Sequence, residues 1–175
     1  MMQEHEVWTG DKEELDGWHE ASTGDLIRHI VGRYHREARM EMARLESQVD
    51  EAVLLEGKSF PVLLEIRNEV DRLCEELRAH LAMEERSLFP AILDREEGRI
   101  PALSAELLAP AKLLEDEHEA AAGLLKRIRA LTEGFTPPEG SRAVQRRFFE
   151  SFQILADSLY RHIYLENQIL FKRVQ

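Results

Sequence analysis

Two stretches of the chain carry the same arrangement of an imidazole followed four residues later by a carboxylate. They are HLAMEERSLFP at residues 80–90 and HIYLENQILFK at residues 162–172. Superposed, His80 falls on His162, Glu84 on Glu166, Leu88 on Leu170 and Phe89 on Phe171. In a helix, positions i and i+4 share a face, so each copy presents its histidine and glutamate side by side. Two further histidines, His35 and His118, precede the copies by 45 and 44 residues. The chain therefore repeats a histidine-bearing segment followed by a His-x3-Glu segment. Imidazole nitrogens and carboxylate oxygens are transition-metal donors, and a donor set repeated twice suits two ions held on the axis of a pseudo-symmetric helical bundle.

The segments that must position these residues are long and have few breakers. GKSFP at 57–61, GRIP at 98–101 and GFTPPEG at 134–140 separate them. The pattern predicts helices over 23–55, 62–95, 103–133 and 138–172, with Ser22 or Thr23 capping the first. Pro90 should kink or loosen the second helix, and Pro110 should split the third into a lead-in and a main helix. Each helix carries a seam at three- and four-residue steps. The seams run Val31, His35, Ala38, Met42, Leu45, Val49, then Ile66, Val70, Leu73, Leu77, His80, Glu84. The third is Ala111, Leu114, His118, Ala121, Leu125, Ile128. The fourth is Phe148, Leu155, Leu159, His162, Glu166, Ile169, with one step skipped at Ser151 or Phe152. Four such helices with short connections form an all-α, up-down-up-down four-helix bundle over 23–175, preceded by a flexible arm or short docking segment over 1–22.

Every seam thus places a histidine where an aliphatic side chain would pack better. A lone glutamate buried without a partner costs several kcal/mol or stays protonated, and two facing one another repel. The seams supply no Lys or Arg to sit between Glu84 and Glu166. A metal pair resolves both problems. Six protein donors, His35, His80, Glu84, His118, His162 and Glu166, exceed a four-coordinate zinc site, and their mixed chemistry suits iron, with manganese or zinc as alternatives, better than calcium or magnesium. If the carboxylates bridge, each ion receives two histidines and two oxygens. A bridging oxo or hydroxo group then leaves one octahedral position open for O2 or NO.

Composition bounds the remaining possibilities. The 175 residues suffice for one core, and 43% apolar with 33% charged residues describes a globular chain. A net charge of −11 disfavours nucleic acid and anionic lipid as partners. No apolar run approaches a membrane span, and MMQEHEVWTGDKEELDG lacks the regions of a signal peptide. Cys74 stands alone and reads as a small buried apolar residue, in keeping with a reducing cytoplasm.

The ligand set, the helix order and the phrases RYH (Arg33 to His35), HLAMEERSLFP, EHE (Glu117 to Glu119) and HIYLENQILF are those that carry a resemblance. Over residues 24–172 the chain resembles the hemerythrin-like HHE proteins, and within them the di-iron branch that repairs iron–sulfur clusters. The resemblance implies that His35, His80, His118 and His162 bind two non-haem irons, bridged by Glu84 and Glu166. Oxygen-carrying hemerythrins use a fifth histidine, which has no counterpart on a fitting seam here. Longer repair proteins carry an amino-terminal domain with an adjacent cysteine pair; this chain begins near the bundle, so a role that depends on those thiols is in question. Glu56 stands where relatives can have an extra histidine.

Other polar residues fall outside this set. His5 and His19 read as solvent-exposed, and His29 as a surface residue or a neighbour of the ligands rather than a ligand. Glu76 and Glu117 each read either as exposed or capping carboxylates or as groups that support the ligands. Tyr34, Tyr160 and Tyr164 read as rim packing or as side chains approaching the site. Three functions follow from the residues and the resemblance. The first is a di-iron protein of nitrosative or oxidative stress and cluster repair, drawing on an unidentified electron donor, with oxidoreductase activity left open. The second is an O2-binding or sensing module. The third is a metal-free helical interaction domain whose polar seam is a hydrogen-bond network.

Overall fold

The computed structural model describes residues 15–100, 105–137 and 139–173, with the backbone alone over 105–115. His5, the first fourteen residues of the expected arm and the seam residues Ala111 and Leu114 lie outside the described side chains. Four helical rods form the bundle, and no strand occurs among the described residues. Rod α1 joins an α-helix over Thr23–His29, a π-helical turn over Ile30–His35 and an α-helix over Arg36–Glu56. Rod α2 joins Val62–Met83, a π turn over Glu84–Leu88 and Phe89–Glu96. Rod α3 is the α-helix Ala105–Leu131. Rod α4 joins Ala143–Tyr164, a π turn over Leu165–Leu170 and a short 3-10 turn over Phe171–Arg173.

The ends follow from local chemistry. Ser22 is the N-cap of α1, its hydroxyl accepting the Asp25 N–H at 3.1 Å. At the end of α2, Gly98 takes φ +71°, the left-handed conformation in which glycine carries no Cβ penalty. There the N–H of Gly98 donates to the Arg95 carbonyl and that of Arg99 to the Asp94 carbonyl, closing a Schellman motif. Pro90 sits in the first turn after the π segment of α2, where its missing N–H does least harm, and the expected loosening is that π turn. Pro110 does not split the third helix, which is continuous over Ala105–Leu131. It is the sixth residue of the rod, so the hydrogen bond it forfeits falls close to the helix end.

Rod α1 packs closely on α4 and α2, and α2 packs on α3. The described seam residues lie inside, except that Val31 is only partly buried while Ile30 and Tyr34 are buried in its place. The cause is the π turn at Ile30–His35, which inserts an extra residue into the turn before His35 and moves the inward position from 31 to 30. Apolar residues form two clusters. One fills the end of the bundle that runs from Ala38, Leu77, Ala121 and Leu159 to Val49, Leu63, Ile128 and Phe148. The other gathers Leu26, Ile30, Tyr34, Leu88, Phe89, Leu165, Ile169, Leu170 and Phe171 at the opposite end. The LF pairs that trail the two histidine motifs thus serve as packing beyond the site.

Residues 15–22 lie on that second end. Leu15 is buried, the Tyr164 hydroxyl donates to Asp16 Oδ1 at 2.6 Å, and Arg173 donates to the carbonyls of Trp18, His19 and Ala21. His19 is exposed. Cys74 is fully buried on α2 and its thiol is pushed up to about 12, chiefly by burial, which leaves it unreactive.

Candidate metal centre

Between the two apolar clusters lies one polar layer. His35 comes from α1, His80 and Glu84 from α2, His118 from α3, and His162 and Glu166 from α4, and none of the six is more than 5% exposed. They sort into two sets of four donors. His35, His162, Glu84 and Glu166 form one, and His80, His118, Glu84 and Glu166 the other, with all donor atoms of a set within 4.8 Å of one another. The glutamates belong to both sets because each turns one oxygen to each histidine pair. Glu84 Oε1 lies 3.3 Å from His80 Nε2, and its Oε2 lies 3.5 Å from His35 Nε2. Glu166 Oε1 lies 2.8 Å from His162 Nε2, and its Oε2 lies 3.2 Å from His118 Nε2.

The outer nitrogens of three imidazoles are held from behind. His35 Nδ1 lies 2.7 Å from Glu85 Oε1, which also accepts from Arg39 Nη2 at 2.9 Å. His80 Nδ1 lies 2.8 Å from Glu117 Oε2, and His118 Nδ1 lies 3.0 Å from Asn167 Oδ1. An acceptor behind the ring puts the proton on Nδ1 and turns the Nε2 lone pair inward, the arrangement typical of metal-bound histidine. His162 Nδ1 is buried without a hydrogen-bond partner.

These constraints leave the centre of the layer short of positive charge. His80 Nε2 faces His118 Nε2 at 3.0 Å, and His35 Nε2 faces His162 Nε2 at 3.1 Å. With Nδ1 protonated on both rings, His80 and His118 oppose two lone pairs. All four oxygens of Glu84 and Glu166 are buried with no hydrogen-bond partner. Burial works to raise the Glu166 carboxyl, yet the imidazoles of His162, His118 and His35 hold it well below the usual carboxylate range. Burial works to lower His80, but Glu84, Glu166 and Glu117 lift it to about 9. His35 is raised against its burial by Glu166, Glu84 and Glu85. Without a metal, only protons shared among the imidazoles balance the carboxylates. Two cations satisfy the inward lone pairs and the unpartnered oxygens together.

A cavity of about 290 Å³ reaches the layer between α2, α3 and α4. Its walls include Leu77, Ala79, Ala121, Leu159 and Ile163, with Glu76 and Glu117 beside His80, His118 and His162. On the other side of the layer, Phe89 stacks near the His35 ring at 5.7 Å and Phe171 near the His118 ring at 6.3 Å.

The six donor residues read from the seams are therefore brought to one place. Of the two carboxylates left open, Glu117 holds His80, whereas Glu76 accepts from Arg72 at 2.8 Å and borders the cavity. His29 is not in the donor layer; its ring stacks on Trp18. Sequence reading missed Glu85 and Asn167. Their signal was positional, since each directly follows a donor glutamate and so turns about 100° away from it, towards the neighbouring rod.

Comparison with known proteins accords with this geometry. Residues 26–174 match the family described as the hemerythrin HHE cation binding domain. Over 156 residues, 89% of this chain and 68% of the relative, the chain is 30% identical to the iron–sulfur cluster repair protein YtfE of Enterobacter sp. (strain 638). It is 31% identical over the same length to that of Escherichia coli O81 (strain ED1a), again covering 68% of the relative. The protein of the same description from Edwardsiella ictaluri (strain 93-146) is also 31% identical, with 67% of it covered.

Proposed function

The chain belongs to the hemerythrin HHE cation-binding family, and from that membership we propose that it holds two non-haem iron ions which bind O2- or NO-type ligands. We assign the work to oxidative or nitrosative stress and iron–sulfur cluster repair in the cytoplasm. The observation that carries this reading is the pair of buried glutamates, each with one oxygen towards each histidine pair and no hydrogen bond of its own. His35 and His162 would hold one ion and His80 and His118 the other, with Glu84 and Glu166 shared. An iron pair held there supplies redox electrons and a coordination position for a small ligand.

The protein's own contribution is orientation and exclusion. Glu85, Glu117 and Asn167 hold the outer nitrogens of three rings, so those imidazoles keep their orientation and need only shed any inward proton before binding metal. The apolar walls of the cavity admit a small neutral molecule and disfavour hydrated ions, and Glu76 and Glu117 at its edge repel anions. No described helix is long and apolar enough to cross a membrane.

Elemental analysis of protein from iron-supplemented cells, followed by NO titration of the reduced form, tests the proposal. Iron near two ions per chain with new iron–nitrosyl absorption is the expected result; a spectrum indifferent to NO removes the NO-handling role. An O2-binding module is the second reading, because the cavity is as open to O2 as to NO. It predicts a spectral change that reverses on deoxygenation without net turnover. Protein devoid of metal whose stability is unchanged by His80→Ala leaves only a helical interaction domain.

A further inference from the structure

Beside the metal layer runs a path of rings that the ligand set does not use. Tyr34 is 1% exposed and is joined directly to His35 in the π turn of α1. Its ring meets that of His29 edge-on, with centroids 5.4 Å apart and planes at 85°. Trp18 stacks on His29 at 4.1 Å and 24°, and is itself only half-buried. Trp18 is fixed in place, since Arg173 donates to its carbonyl at 2.8 Å and to those of His19 and Ala21. The three rings thus form an unbroken contact path from the neighbour of a donor histidine to the surface.

The chemistry of these rings separates them from others near the site. Phe89 and Phe171, the rings stacked on His35 and His118, have no O–H or N–H and give up an electron far less readily than phenol or indole. Phenol and indole each give up one electron together with a proton. Hydrophobic packing alone would be served by Leu or Phe at positions 18 and 34, without a hydroxyl or an indole N–H to satisfy. Nearby side chains are also open to damage, among them Met83, which is part-buried next to Glu84.

We infer that Tyr34, His29 and Trp18 form a one-electron relay that carries oxidising equivalents from the metal layer to the surface. The inference rests on the redox-active iron pair proposed above. Hydrogen peroxide takes two electrons and two protons on reduction to water. When the metal pair supplies one electron only, Tyr34 supplies the second and releases its phenolic proton, becoming a neutral phenoxyl radical. Trp18 returns an electron to Tyr34 across the His29 ring and loses its indole proton to solvent, while Tyr34 regains a proton. A soluble one-electron reductant such as ascorbate then gives Trp18 an electron and a proton. The electron deficit is discharged outside the core, and Met83 and the donor histidines are spared.

The test mixes iron-loaded protein with hydrogen peroxide, freezes it for electron paramagnetic resonance, and locates oxidised residues by peptide mass spectrometry. Wild type should show an indolyl radical that ascorbate removes, with stable oxygen addition concentrated at Trp18. Trp18→Phe keeps an aromatic ring for packing and should lose the indolyl signal, while damage moves inward to Tyr34 and Met83. Trp18→Tyr should restore a surface radical, now phenoxyl, and return protection. Tyr34→Phe should also abolish the Trp18 radical, which gives the same readout from a second position if one variant folds poorly. A radical yield and damage map unaffected by Trp18→Phe and Tyr34→Phe, in protein that binds iron and responds to NO, overturn the relay alone. Absence of bound iron overturns the iron-pair reading and the relay with it.

Discussion

The two donor sets of the layer hold the same residue types, yet the structure treats them differently. His80 and His118 border the cavity, whereas His35 is fully buried and the other set reaches the cavity through His162 alone. Behind His35 stands a carboxylate paired with Arg39, and behind His80 one whose side chain is 42% exposed. Behind His118 stands a neutral amide, and behind His162 no hydrogen-bond partner. A chain repeated almost symmetrically in sequence has thus folded into an open subsite and a closed one. The outer partners and the packing of α3 create that asymmetry; the donors do not.

The shared glutamates give the largest expected effect. Glu166→Ala should lose metal from both subsites, and elemental analysis should find a deficit beyond that of His35→Ala or His80→Ala, each of which empties chiefly its own side. Next come the supporting carboxylates. Glu85→Gln should weaken metal binding on the closed side and Glu117→Gln on the open side, each by roughly 10–100-fold in competitive chelator titrations. If both weaken the same ion, the division into two subsites is wrong. Ala79→Leu narrows the cavity without touching a donor, so stopped-flow mixing should show a severalfold slower reaction with NO at unchanged metal content.

Protonation sharpens the contrast between metal-free and metal-loaded protein. In the metal-free state His80 titrates near 9, above its ordinary 6.5. The stability it contributes is therefore complete below about pH 6.5 and lost as pH rises through about 9. Glu166, held low, contributes stability above its ordinary 4.5 that is lost as pH falls. Metal binding requires neutral imidazoles, so the rise in melting temperature on adding metal should grow over the window in which the metal-free protein weakens. A metal-induced rise that shrinks with pH across that window contradicts this account. The smallest effect belongs to a site remote from the centre. Ser22→Ala removes the α1 cap and should cost about 1 kcal/mol in denaturant melts, with metal affinity unchanged.

The sequence by itself determined the four helices, the cap of the first, the breaks between them and the placing of six histidine and glutamate residues on inward seams. Those features rest on local periodicity and on the fact that buried polar residues stand out against an apolar seam. Only the tertiary structure decided the rest. It placed the π turns that put Ile30 rather than Val31 inside, because one extra residue in a turn leaves no mark in composition or spacing. It turned Glu85, Glu117 and Asn167 towards imidazoles on other rods, contacts set by how helices cross rather than by their own sequence. The cavity against one donor set and the ring path from Tyr34 to Trp18 are likewise products of packing between segments far apart in the chain.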